Sequence, residues 1–195
     1  RLQVAGISWK GYQNEVTFSG LTGEEDAWLG NFGCNLLECF AAYNIEGYPG
    51  FPRAIRVQIA ALTQHISKLK DQIREEKDSD ALAHLQVRID EGKSRIIKLQ
   101  AQLQGSGADR YNQLTEQEKA LHHAAFVTNA ASPEYHSLQE LTFTDGDKLQ
   151  TMLVPKGDVF YQFRKDVNEG KLTVISWMTS PERFSDHPES PWYGA

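Results

Sequence analysis

Cysteine is scarce in this 195-residue chain: Cys34 and Cys39 are the only two, five positions apart in an apolar stretch. That spacing makes no zinc motif and no disulfide framework, and on a helix it points the two thiols to different faces. Buried free thiols are the expectation. No apolar run reaches membrane length. Concentrated positive charge is missing too. The net charge is −6, the pI is about 5.5, and Lys and Arg are scattered among acidic neighbours. A nucleic-acid partner usually meets a concentrated basic face, so none is expected here. The chain also has no glycine-rich phosphate loop, no His-Glu-x-x-His and no nucleophile elbow. What is present is ordinary for a globular protein: 40% hydrophobic residues, in a chain long enough to bury a core.

Three zones follow one another. In the first, residues 1–52, Arg1 to Gly6 reads as the tail of an amphipathic helix with Gly6 as its left-handed stop. A buried strand is predicted over Ile7–Tyr12, then an acidic turn region over 20–26. Leu36, Leu37, Phe40 and Ala41 have helical spacing. The second zone, residues 53–107, is a heptad seam: Ile55, Ile59, Leu62, Ile66, Leu69 and Ile73 recur at steps of four and three. After the polar break at 75–80, where Ser79 or Asp80 can cap a new helix, the rhythm resumes at Leu85, Ile89, Gly92, Ile96, Leu99 and Leu103. Two equal seams joined by a tight turn predict an inserted antiparallel coiled-coil hairpin, in which Gly92 admits a large residue from the facing helix. The hairpin's partner is not specified, and its charges read as a solvated face. His65, His84, His122 and His123 lack the i, i+4 spacing of a helical metal site and read as surface histidines.

Residues 108–195 return to α/β rhythm. Thr115 and Glu118 form a capping box opening a short helix through Ala125. Asp145-Gly146-Asp147 marks a β-hairpin, and Asp158 caps a helix stopped at Gly170. Leu172–Met178 is nearly all apolar, the pattern of a strand covered on both faces. Beyond that strand lie Glu182, Asp186 and His187, stiffened by Pro181, Pro188 and Pro191. His187 can hydrogen-bond an anionic oxygen such as a phosphate, with Asp186 favouring the imidazolium. From spacing alone a surface loop, with an Asx turn at Asp186 and a solvated His187, is the favoured reading. A polar loop at the carboxyl end of a buried strand is where open α/β sheets place chemistry, so the chain reads as an internal piece of an enzyme, truncated at both ends.

The string LTVISWMTSPERFSDHPESPWYGA, with VPKGDVFYQFRKDVNEGK before it, resembles bacterial phosphocholine-specific phospholipases C. These are relatives of a bacterial acid phosphatase within the alkaline phosphatase superfamily. AGISWKGYQN and NFGCNLLECFAAYN are similar to that family as well, and the helical arm is similar to an insertion found in some members. The implied fold is α/β, a partial alkaline-phosphatase-like sheet sandwich carrying the inserted helical hairpin. The implied reaction is hydrolysis of a phosphatidylcholine-type phosphodiester to diacylglycerol and phosphocholine. A Ser or Thr nucleophile and a divalent metal ion would carry it, and by the resemblance both lie outside these residues. His187 occupies the family's active-site position, Asp186 would orient it, and Glu182 would help hold the loop. Trp192 and Tyr193 either offer π faces to a choline ammonium or pack in the core. Family members are exported, implying a periplasmic or secreted protein in transient contact with a phospholipid surface. Two departures stand out: Cys34 replaces an acidic residue, and Met178-Thr179-Ser180-Pro181 replaces Leu-Val-Ala-Pro. Alternatives are a phosphomonoesterase of the acid phosphatase type and a non-catalytic interaction module displaying the arm.

Overall fold

The computed structural model describes residues 1–21, 23–31 and 33–184, and it is mixed α/β. By its internal contacts the chain divides into two compact units. One is Arg1–Ile45 with Leu114–Ala195 and the other is Glu46–Gln113.

In the first unit, residues 2–6 form turns in place of the expected helix tail, and Gly6 takes the left-handed conformation at φ 68°. Strand β1 (Trp9–Gln13) pairs in parallel with β4 (Ile175–Thr179), from Trp9↔Ile175 to Gln13↔Thr179. A parallel bridge from Tyr12 to Val127 follows helix α5 (Glu116–Ala125), with Gln13 N donating to Val127 O and Val127 N to Gly11 O. Gly11 is needed here, because a Cβ would stand 2.9 Å from the Ala125 carbonyl oxygen. Helix α1 (Gly23–Leu29) grows out of the acidic turn region, with Glu24, Glu25 and Asp26 in its first turn. Carboxylates there complement the positive end of the helix dipole. Leu21, Trp28 and Leu29 make a core against Leu138, Met152 and Val154 of the antiparallel hairpin β2 (Leu138–Asp145) and β3 (Lys148–Pro155). Helix α5 (Glu116–Ala125) opens on the capping box: Thr115 Oγ1 accepts from Glu118 N, and Glu118 Oε2 accepts from Thr115 N. Helix α6 (Tyr161–Asn168) starts later than expected, because Asp158 accepts from Phe160 N in the turn before it.

In the second unit, α2 (Phe51–Glu75) and α3 (Ser79–Leu103) pack along the heptad seam, with Ile66, Leu69 and Ile89 at its centre and Ile73, Leu85 and Ile96 beside them. Ile66 fills the space above Gly92, where a Cβ would meet its Cγ1 and Cδ1 at 3.1 Å. The cap of α3 is Asp78, whose carboxylate accepts from Asp80 N and Ala81 N, not Ser79 or Asp80. Gly105 and Gly107 supply left-handed turns leading into α4 (Ala108–Asn112).

Four further expectations are corrected. Cys34 and Cys39 are exposed thiols, because the segment around them winds into short 3₁₀ turns and has no buried helical face. His122 is not a surface residue: it is 4% exposed, and its Nδ1 lies 2.9 Å from the Tyr43 carbonyl. The 36–41 segment forms 3₁₀ turns at Leu36–Cys39 and Ala41–Tyr43, not an α-helix. Finally, the Leu172–Met178 run that carries β4 is not covered on both faces: Val174 is 76% and Trp177 67% exposed, and among the described residues no strand pairs with the far edge of β4. Among the described residues no helix is long and apolar enough to cross a membrane.

Candidate functional site

The chain leaves β1 at Gln13 and runs directly into Asn14, Glu15 and Val16, all of them buried. Burying three consecutive polar side chains is costly unless each finds a partner, and the partners come from distant segments. Gln13 Oε1 accepts from Asn31 Nδ2 at 3.2 Å and from Asn35 Nδ2 at 2.6 Å. Asn35 also donates to the Ala125 carbonyl at the end of α5 and accepts from Leu37 N. Asn31 Nδ2 donates to Glu38 Oε1 at 2.6 Å, and Asn31 Oδ1 accepts from Gly33 N and from the Thr17 hydroxyl. Thr17 N reaches Glu38 Oε1 at 3.2 Å. Burial, and then the nearby charge of Glu15, pushes the Glu38 carboxyl above the usual range.

Asn14 turns the other way. Its amide donates to the Leu29 carbonyl and its oxygen accepts from Asn129 Nδ2, which also reaches the Val159 carbonyl. Gln162 N completes that junction on Asn129 Oδ1. Glu15 Oε1 accepts from Val16 N, and Glu15 Oε2 accepts from the Tyr135 hydroxyl with His136 Nε2 at 3.5 Å. His136 Nδ1 in turn lies 3.1 Å from Glu25 of α1.

Glu182 stands in a 3₁₀ turn just past β4, and its backbone N donates to the Gly30 carbonyl at 3.3 Å. Asp26 is pushed above the ordinary carboxylate range, first by burial and then by the Glu182 and Glu25 charges. Next to it, Arg183 Nη2 lies 3.1 Å from each oxygen of Glu24 and its guanidinium stands over Trp28. Asp186, His187, Trp192 and Tyr193 lie outside the described residues.

A second polar knot sits on the side of β1 facing α6. Asp166 accepts from Lys10 Nζ, from the Tyr12 hydroxyl at 2.7 Å and from Gln162 Nε2 at 2.9 Å. Burial raises the Asp166 carboxyl, but these hydrogen bonds outweigh it and hold the group below its ordinary range. Tyr12 is pushed up by burial and by Asp166.

The sequence readings single out neither knot. The one local signal is the polar triplet Gln13-Asn14-Glu15 abutting an apolar strand. The divalent ion implied by the resemblance finds no seat among these groups. Among the described residues no group of three or more His, Cys, Asp or Glu side chains is arranged to hold a metal ion, and Glu38 faces amide donors. No protein-family model, no curated protein and no solved structure matches the chain.

Proposed function

We propose that the chain is part of an alkaline-phosphatase-like phosphoesterase that hydrolyses phosphatidylcholine-type phosphodiesters to diacylglycerol and phosphocholine. The supporting observation is the placement of the polar groups. β1 and β4 run parallel, the buried amide and carboxylate cluster follows the carboxyl end of β1, and Glu182 follows the carboxyl end of β4. Open α/β sheets bind and transform ligands just outside the carboxyl ends of their strands. Asp186 and His187 lie four and five residues after Glu182 in the sequence and complete the motif on which the resemblance rests. In this reading His187 contacts a phosphoryl oxygen or protonates the leaving alkoxide, and Asp186 orients its ring. The nucleophile and metal come from sequence outside these residues, so the 195-residue chain alone is expected to be inactive. A periplasmic or secreted location and a transient lipid-surface encounter belong to the same proposal.

The test is turnover by the full-length enzyme on phosphatidylcholine against a simple phosphate monoester, with and without His187→Ala. The substitution should lower turnover on the phosphodiester by about 10²–10⁴-fold. Unchanged kinetics would remove His187 from the site, and preference for the monoester would favour the phosphatase reading. The compactness of Glu46–Gln113 as its own unit supports a second role, display of the arm to a partner. Deleting residues 54–104 separates the two: partner loss with hydrolysis retained assigns binding to the arm.

A further inference from the structure

The packing of the arm fixes which of its residues border the seam. Ile66 lies over Gly92, and His65 Nε2 stands 3.3 Å from Arg88 Nη2 across the hairpin. With Ile66, Leu69 and Ile73 on the seam of α2 and Leu85, Ile89 and Ile96 on that of α3, the flanking positions fall on Arg56, His65 and Lys70 in one helix and on Arg88, Lys93 and Arg95 in the other. The other flanking positions are uncharged. Phe51–Leu103 holds seven Asp or Glu beside ten Lys or Arg, yet no acid stands on either flank. Flanks of a coiled coil usually carry opposite charges that pair across the seam and set the choice of partner. Here Arg56, Lys70, Arg88 and Arg95 pair with no carboxylate among the described residues, and the ion pairs Arg74–Asp71 and Lys93–Asp90 each stay within one helix.

His65 and Arg88 meet on one side of the hairpin, so Arg56, Lys70 and Lys93, on the other edge of their seams, share the opposite face. On that face of α2, Arg56, Ala60, Thr63, Ser67 and Lys70 follow at steps of four and three, and all are exposed. Small side chains fill the middle, with a cation at each end of a stripe about 21 Å long. On α3 the face carries Lys93 and, one turn on, Ile97, which is 66% exposed. We propose that this face docks an acidic amphipathic helix of a partner protein, its carboxylates on Arg56, Lys70 and Lys93 and its apolar stripe over Ala60, Ser67 and Ile97. The one acid there, Asp90, is engaged by Lys93 at 2.9 Å. A second copy of the arm would bring the same cations and be repelled. A bilayer or a nucleic-acid duplex is an extended anionic surface and would also meet Asp71 and Glu91 on the outer sides of the helices, on a chain whose net charge is −6. A single helix is narrow enough to avoid them. This gives a chemistry to the display role proposed above for the arm, on which it rests, and is independent of the hydrolase reading.

The test is fluorescence anisotropy of the whole chain with two labelled synthetic peptides. Both are amphipathic helices with a Leu stripe, one flanked by Glu and the other by Lys. The Glu peptide should bind, more weakly as salt is raised, and the Lys peptide should not. Arg56→Glu, Lys70→Glu and Lys93→Glu together should weaken Glu-peptide binding about tenfold or more and admit the Lys peptide. Reversal on the far side, Arg88→Glu with Arg95→Glu, should leave binding nearly unchanged. Ile97→Gln alters no charge and should also weaken binding, and it decides the matter if the triple variant loses its helical circular dichroism. No binding of the Glu peptide, equal binding of both peptides, or an equal loss from the far-side reversal overturns the proposal. Binding to anionic vesicles or duplex DNA that the triple reversal abolishes would overturn it too, making the face a reader of phosphate surfaces. Deleting residues 54–104 tests the display role by itself, so failure of the acidic helix and failure of that role are distinct results.

Discussion

Gly92→Ala should change sign with its background. Two effects oppose each other at this position in the arm. Alanine favours the α3 helix over glycine by about 1 kcal/mol. Its methyl, however, would sit 3.1 Å from both Cγ1 and Cδ1 of Ile66, closer than packed carbon atoms rest. Inserting a methyl into a filled seam costs about 1–3 kcal/mol. In the native background the clash should win, for a net loss of about 1 kcal/mol. With Ile66→Ala already in place both opposing atoms are gone, and the same substitution should stabilise by about 1 kcal/mol. Ile66→Ala alone should cost about 2–5 kcal/mol, as for other buried aliphatic truncations. The assay is urea unfolding of the four proteins of the cycle, followed by helical circular dichroism, which the two 25-residue helices should dominate. Gly92→Ala stabilising to the same extent in both backgrounds would show that Ile66 does not sit over residue 92, and the register of the arm would be wrong.

Three further outcomes follow from the polar contacts. Burial holds the His122 imidazole below its ordinary pKa, so on acidification the unfolded chain takes up that proton first. Stability present above pH about 6.5 should therefore decline as pH falls below it, and His122→Gln should flatten the slope of Tm between pH 7.5 and 5.5. Asp166 is held below its ordinary range, so its contribution is complete at neutral pH and is lost as the pH falls through the acid range below about 3.9. Asp166→Ala at neutral pH leaves the Tyr12 hydroxyl and Lys10 without their acceptor and should cost about 1–3 kcal/mol in denaturant midpoints; no loss would break this account of the knot. Thr115→Ala removes the capping box of α5 and should cost about 1 kcal/mol, with Thr115→Ser restoring most of it.

How much was legible in the sequence depended on the reach of each signal. The arm's seam, the Thr115 and Glu118 box and the Gly146 turn are local patterns, each enforced by residues within a turn or a heptad of one another, and each appears where the pattern put it. The polar cluster was illegible for the opposite reason. Gln13, Asn31, Asn35 and Glu38 are drawn from a strand end and a run of 3₁₀ turns, and no spacing rule joins them. His122 was misread because its burial depends on the Tyr43 carbonyl, 79 residues away in sequence. The apolar run of β4 was read as a strand covered on both faces, and the strand is there. Coverage, though, is a property of neighbouring layers, which a run of side chains cannot specify.

The contrast along β1 bears on function. Residue 12 is the place for ordinary core chemistry: the Tyr12 ring packs edge-on against Phe163 and its hydroxyl is satisfied by Asp166. One residue later the strand turns to carboxamides and carboxylates buried just as deeply, and two of their polar atoms are left unmet. Apolar side chains of similar volume would remove that desolvation cost but leave the buried Asn31 and Asn35 amides and Thr17 N without their acceptors. The Oε1 atoms of Gln13 and Glu38 serve folding as acceptors for those donors, whereas Gln13 Nε2 and Glu38 Oε2 serve no such bond. A parallel strand that stays conventional up to its carboxyl end and becomes polar there carries the cost at the one place where α/β sheets do their chemistry.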